Sequence, residues 1–179
     1  MKYLIVIDMQ NDFITGSLGT KEARAIVPKV ADKITEFIEE RKTYGYDYHK
    51  LIFTQDTHHS DYMNTLEGKY LPIAHCIENT PGWCIHDDIF PFEEARVRKS
   101  GFGYPSWDKV INVGDGDTIE ICGLCTDICV VTNAILLKTA FPKTKIIVDA
   151  SCCAGTTIKK HKAALEVMRS CQIEVVNDD

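Results

Sequence analysis

The chain has 179 residues, a length that fits one domain with a full hydrophobic core. Its 20 basic and 26 acidic side chains leave a formal charge of −6, which argues against nucleic acid or an anionic membrane as a partner. Eight cysteines without a recognisable secretion signal argue against a disulfide framework, and reduced thiols in a cytoplasm are expected.

Lys2 to Asp8 reads as a nearly all-apolar strand, too short for a signal peptide or a membrane span. Met9 to Thr20 reads as loop, broken by Gly16 and Gly19. Pro28 is expected to open a helix whose apolar face is Val30, Ile34, Phe37 and Ile38, fading at Tyr44-Gly45. Leu51 to Gln55 is a second strand, again followed by an acid, Asp56. Thr57 to Phe92 is long and irregular and holds four of the six histidines; so long a loop in a compact domain is usually functional.

Ala95 to Lys99 is expected as a third strand, with the turn Ser100-Gly101-Phe102-Gly103 after it and a short helical piece near Trp107 to Val110. Thr118 to Cys122 is a buried strand. It runs through Gly123-Leu124-Cys125-Thr126-Asp127 into a helix with apolar residues at Ile128, Val131, Ile135 and Leu136 that stops by Pro142. Lys145 to Val148 is a strand, Ile158 to Ser170 a helix with Ala164, Leu165 and Met168 on one face, and Ile173 to Val176 the last strand. Strands alternating with helices imply a three-layer α/β/α fold with a central, mainly parallel sheet, one domain over 1–179.

Functional groups in such folds lie at the carboxyl ends of the strands. Asp8, Asp56, Lys99 and Cys129 all fall at or just beyond strand ends. Cys129 sits in the first turn of its helix, where backbone N–H groups and the helix dipole favour a thiolate; a small buried hydrophobe is the bland alternative. Asp8 suits a general base or a turn cap, and Asp12 a cap. Lys99 suits a cation beside the thiol or, with Arg96 and Arg98, a solvated basic strand. Asp56 and His58 project to the same side of an extended segment, and with Glu67 and His75 they make a mixed nitrogen and oxygen set suited to Zn, Fe or Mn. His59 points elsewhere, and His49, His86 and His161 read as surface residues. Cys122-x-x-Cys125 has metal-pair spacing, but no second pair follows.

These pieces together resemble the isochorismatase-like cysteine hydrolases, most closely their nicotinamidase branch. The matching runs are 7–13 (IDMQNDF), 54–58 (TQDTH), 75–82 (HCIENTPG), Lys99 and 123–130 (GLCTDICV). The resemblance implies a catalytic triad of Asp8, Lys99 and Cys129, and an oxyanion hole from the backbone N–H groups of Cys125 and Cys129. It also implies a cis peptide between Leu124 and Cys125, and Phe13 and Leu124 against the substrate. It implies one divalent metal on Asp56, His58 and His75 with Glu67 as a further carboxylate, zinc first and iron or manganese as alternatives. The implied reaction is hydrolysis of a small amide, nicotinamide to nicotinate and ammonia, through a cysteine thioester, in a protein that is often a dimer or tetramer.

The sequence departs from the branch at 59–62 (HSDY), at Cys125 and along Leu66 to Ile73, which bears on which amide is taken. Two alternatives stay open. One is a relative cleaving an N-carbamoyl compound or isochorismate; the other is a zinc or redox module on Cys122, Cys125 and Cys129.

Overall fold

The computed structural model describes residues 1–45, 48–92 and 95–178. Six strands form one sheet: β1 (Lys2–Ile7), β2 (His49–Asp56), β3 (Ala95–Lys99), β4 (Thr118–Leu124), β5 (Lys145–Ala154) and β6 (Glu174–Val176). Their order is β3-β2-β1-β4-β5-β6, and every neighbouring pair is parallel. From β1 the chain moves outward to β2 and β3, then returns to place β4 on the other side of β1. The crevice between the carboxyl ends of β1 and β4 is therefore the topological switch point, where open parallel sheets bind ligands.

β1 is buried along its length because both of its faces are covered: Leu4, Ile5, Val6 and Ile7 have no exposed surface. In β4 the pleat separates two environments. Glu120 faces Lys33 of α2 (Lys21–Tyr44), while Ile119 and Ile121 point the other way and are equally enclosed. Helices α4 (Val131–Ala140) and α5 (Ile158–Ser170) pack against each other and against β5, completing the three layers. Among the described residues no helix is long and apolar enough to cross a membrane.

Helix α2 begins earlier than Pro28. The Thr20 hydroxyl accepts from Ala23 N–H at 3.0 Å, an N-cap that starts the helix at Lys21. Ala23, Ile26 and Val27 then extend the buried stripe through Val30, Ile34 and Phe37. Pro28 is interior but lies on the exposed face, where a helix can bend away from the sheet. The loop before it holds a short helix, α1 (Asn11–Ile14), and the irregular stretch 57–92 holds α3 (Leu66–Tyr70) among short 3-10 turns.

The helix after β4 buries a different face from the one expected. Asn133, Ala134 and Leu137 are enclosed, while Ile128, Val131, Ile135 and Leu136 are only half-buried. A helix that is apolar nearly all round carries no period to pick its inner face. Strand β5 also runs on from Val148 to Ala154, through a register shift opposite Ile121 and Gly123.

Gly123 sits at that irregularity with φ +119°, paired with Ile7 of β1. A Cβ there would overlap the Ile7 carbonyl oxygen, in backbone that cannot give way. Gly123→Ala is expected to destabilise by about 3 kcal/mol or more, lowering Tm by roughly 6–12 °C for a chain of this size. Differential scanning calorimetry reads this directly, and an unchanged Tm would show that β1 and β4 can separate at this point.

Candidate active site

Four strand ends converge here. Asp8 follows β1, Asp56 closes β2, Lys99 closes β3, and Cys129 lies in the first, wide turn of the helix after β4, Thr126–Val130. Lys99 Nζ is 2.7 Å from Asp8 Oδ2, 3.3 Å from Asp56 Oδ1 and 3.6 Å from Cys129 Sγ, and it donates to the Gly101 carbonyl at 3.1 Å. Asp8, Lys99 and Cys129 are all buried. The Thr54 hydroxyl donates to Asp8 Oδ1 at 2.6 Å and also lies 3.1 Å from the Asp8 N–H, so the carboxylate is held by the neighbouring strand. Asp8 takes φ +46°, a conformation aspartate tolerates better than most residues.

Burial pushes Asp8 up; the Lys99 ammonium opposes this, and the nearby Asp56 carboxylate adds to it. Burial also lowers Lys99, but Asp8, Cys129 and Asp56 outweigh it and hold the ammonium charged. The Cys129 thiol is raised well above its ordinary value, first by burial and then by the Asp8 charge, with Lys99 only partly compensating. Burial beside the Asp8 carboxylate therefore works against the thiolate that the helix start favours. Asp8 and Cys129 form one coupled system beside a fixed cation.

The second group lies on the other side of Lys99. Asp56, His58 and His75 are buried, and each offers one ligand atom within 4.8 Å of the others. His75 Nδ1 lies 2.9 Å from the Ile73 carbonyl, which leaves Nε2 with its lone pair turned inward, 3.7 Å from Asp56 Oδ2. His58 Nε2 is 3.1 Å from the same carboxylate oxygen. Tyr62 packs edge-on against both imidazoles and Phe13 against His75. Glu67, brought in by the Thr65 cap of α3, places Oε1 3.7 Å from His58 and 3.9 Å from His75. Two imidazoles and a carboxylate that converge in this way suit a divalent metal, with Glu67 at the rim.

Burial raises Asp56, but the His58 hydrogen bond and the Lys99 charge overcome it and bring the carboxyl below its ordinary value. A single ammonium thus serves both carboxylates, a link between the two groups that spacing along the chain does not reveal.

Phe13, Leu18, Leu71, Phe102, Leu124 and Ile128 wall a cavity of about 350 Å³, with Asp56, His75, Glu67, Cys125 and Cys129 also lining it. An apolar pocket with a few convergent polar groups is the usual form of a small-molecule site. The Leu124–Cys125 peptide is cis. Cys122 is core, and no thiolate cluster able to hold a metal occurs among the described residues. His59 is exposed beside Glu78, as expected, but two other histidines are not surface residues. His49 is buried against Phe37 and Tyr44, and His161 contacts Thr126.

Two supporting side chains escaped the sequence reading. Gln10 donates to the carbonyls of Asp56 and Trp83 and accepts from Asp56 N–H at 2.7 Å, fixing the end of β2. Asn133 donates to the Cys129 carbonyl at 2.8 Å and accepts from Tyr104 N–H and the Trp107 indole, tying the thiol's turn to the loop after β3. A polar residue inside an apolar run was the available signal for Asn133, whereas Gln10, set among Asp8, Asn11 and Asp12, carried none.

The chain is similar to known proteins along most of its length. The chain is 28% identical to a nicotinamidase/pyrazinamidase of Mycobacterium tuberculosis, covering 98% of each chain. It is 26% identical to a nicotinamidase of Saccharomyces cerevisiae, covering 83% of this chain and 87% of the other. The solved structure of a pyrazinamidase of Pyrococcus horikoshii, in complex with zinc, superposes with a TM-score of 0.76 at 25% identity, covering 98% of each chain. The isochorismatase domain model matches residues 2–179, nearly the whole length over which these strand ends are drawn together, and the chain belongs to the isochorismatase family.

Proposed function

We propose that the protein is a metal-containing cysteine amidohydrolase that converts nicotinamide and water to nicotinate and ammonia. The observation that carries this reading is the shared ammonium. Lys99 reaches the thiol and Asp8 on one side and Asp56 of the two-histidine cluster on the other, and Cys129 and Asp56 both line one apolar pocket.

Asp8 takes the Cys129 proton as Sγ attacks the amide carbonyl, and Lys99 stabilises the charge that this separates. The backbone N–H groups of Cys125 and Cys129 receive the tetrahedral oxyanion. Asp8 returns its proton to the departing nitrogen, ammonia leaves and a thioester remains. Asp8 then draws a proton from water, which attacks the thioester carbonyl, and nicotinate leaves the restored thiol. Phe13 and Leu124 flank the aromatic ring. Asp56, His58 and His75, with Glu67 beside them, would hold one divalent ion, zinc before iron or manganese. When bound, the ion supplies a Lewis-acid contact to the pyridine nitrogen and so helps to orient the amide.

Ammonia release tests this reading. Zinc-loaded protein is expected to release one ammonia per nicotinamide consumed, with no carbon dioxide. Carbon dioxide released with the ammonia from N-carbamoyl compounds, and no turnover of nicotinamide, would move the activity to the carbamoyl class. Inertness toward nicotinamide, pyrazinamide and a panel of small amides would sink the amidase reading.

A further inference from the structure

The turn that carries the thiol is held from behind by the junction of β5 and α5. Thr156 donates twice to Asp127, from its N–H to Oδ1 at 2.7 Å and from its hydroxyl to Oδ2 at 2.6 Å. Gly155 allows this close approach, since a Cβ there would stand 2.8 Å from Asp127 Oδ1 and 2.9 Å from the His161 Cβ. One residue earlier in the turn, Thr126 is fully enclosed, and its hydroxyl lies 2.8 Å from His161 Nδ1. His161 is in the first turn of α5, its N–H bonded to the Thr157 carbonyl. Gly155 and Thr156 reach the rim of the substrate cavity, while Thr126 and His161 do not line it. His161 lines a separate groove of about 250 Å³ on the far side of Gly155.

We propose that His161 is a positioning residue for the catalytic turn: the hydrogen bond between its Nδ1 and the Thr126 hydroxyl fixes the backbone from Leu124 to Cys129 in the geometry that thiol attack requires. This rests on the amidase reading given above. The direction of the contact follows the protonation of the ring. A neutral ring with its proton on Nε2 accepts at Nδ1, whereas a protonated ring donates from Nδ1 to the hydroxyl oxygen, which must turn to receive it. Burial lowers His161 and keeps the ring neutral near pH 7, opposed by Asp178 and Asp127 and aided by Lys162. Glu22 and Lys29 of α2 face it across the groove. Acidification therefore reverses this hydrogen bond and turns the Thr126 hydroxyl, a change that begins at the turn and not at the thiol itself.

Two variants and one spectroscopic titration test this on the zinc-loaded protein. His161→Leu removes the acceptor. It is expected to lower kcat for nicotinamide roughly five- to tenfold, the effect of one neutral hydrogen bond expressed in the transition state, with KM nearly unchanged. His161→Asn offers a hydrogen-bonding group near the Nδ1 position without titrating; it is expected to restore kcat and to lack the pH dependence that the reversing His161 contact gives the wild type. The titration needs no substrate. Between pH 8 and pH 5 the backbone amide signals of Cys125, Thr126 and Asp127 are expected to move with the His161 ring in wild type and to stay still in His161→Asn. Amide signals indifferent to His161 protonation overturn the proposal, as does a His161→Leu variant that changes KM alone. If His161→Leu does not fold, the wild-type titration and the Asn variant still decide. Absence of nicotinamide turnover in wild type would defeat the amidase reading while leaving the amide titration to judge His161 by itself.

Discussion

Cys129→Ala is expected to abolish ammonia release, a loss of about 10⁴-fold or more, because no other group in the pocket can form the thioester. Cys125 also lines the cavity, but burial and the Asp127 and Asp8 charges raise its thiol to about 12, and Lys99 reaches Cys129 Sγ directly. The substitution is also the cleanest probe of the site. Cys129 is buried and gives up one atom, so the fold should be nearly unaffected. Removing Lys99 instead would leave Asp8 and Asp56 facing each other without their shared cation, and breaking such a buried pair costs about 3–5 kcal/mol. Lost activity in that variant would not separate chemistry from stability. Cys129→Ala should retain its metal and its Tm while losing turnover, and substantial residual turnover would move the nucleophile elsewhere.

Much of this arrangement was legible in the sequence because apolar runs that end abruptly in an acid say where a buried strand meets a site. Asp8 and Asp56 are such endings, and both lie at the switch-point side of the sheet. The span and inner face of helix α5 were readable: it runs over Ile158–Ser170, and Ala164, Leu165 and Met168 are its buried residues, though His161 was expected at the surface. The strand order was not readable, since parallel neighbours are chosen by crossovers rather than by local pattern. The roles of Gln10 and Asn133 were hidden for a related reason. Their partners, Asp56 and Phe102 among them, lie 46 and 31 residues away, and only the finished fold brings them together. The one misread helix face, on α4, followed from treating apolar residues as buried when a polar one, Asn133, held the interior position.

The metal cluster gives the second large effect, and one that can be read without turnover. A ligand that binds only the folded state stabilises it, by about 2.7 kcal/mol at a hundred times its dissociation constant, which for this length raises Tm by roughly 5–11 °C. Zinc titrated into metal-free wild type should produce such a rise, and His75→Ala should remove it together with amidase activity. His75 is the informative ligand to remove because the Ile73 carbonyl already orients its ring, so the inward Nε2 has no other partner closer than the Asp56 carboxylate 3.7 Å away. Glu67→Gln tests the rim of the same cluster. Glu67 is a quarter exposed and stands 3.7–3.9 Å from the two imidazoles, so a supporting carboxylate there predicts a loss of zinc affinity of about 10–100-fold, smaller than that from removing a direct ligand. A loss as large as that of His75→Ala would instead make it a direct ligand. If zinc raises the Tm of His75→Ala as much as that of wild type, the ion is bound elsewhere and the Asp56–His58–His75 assignment fails.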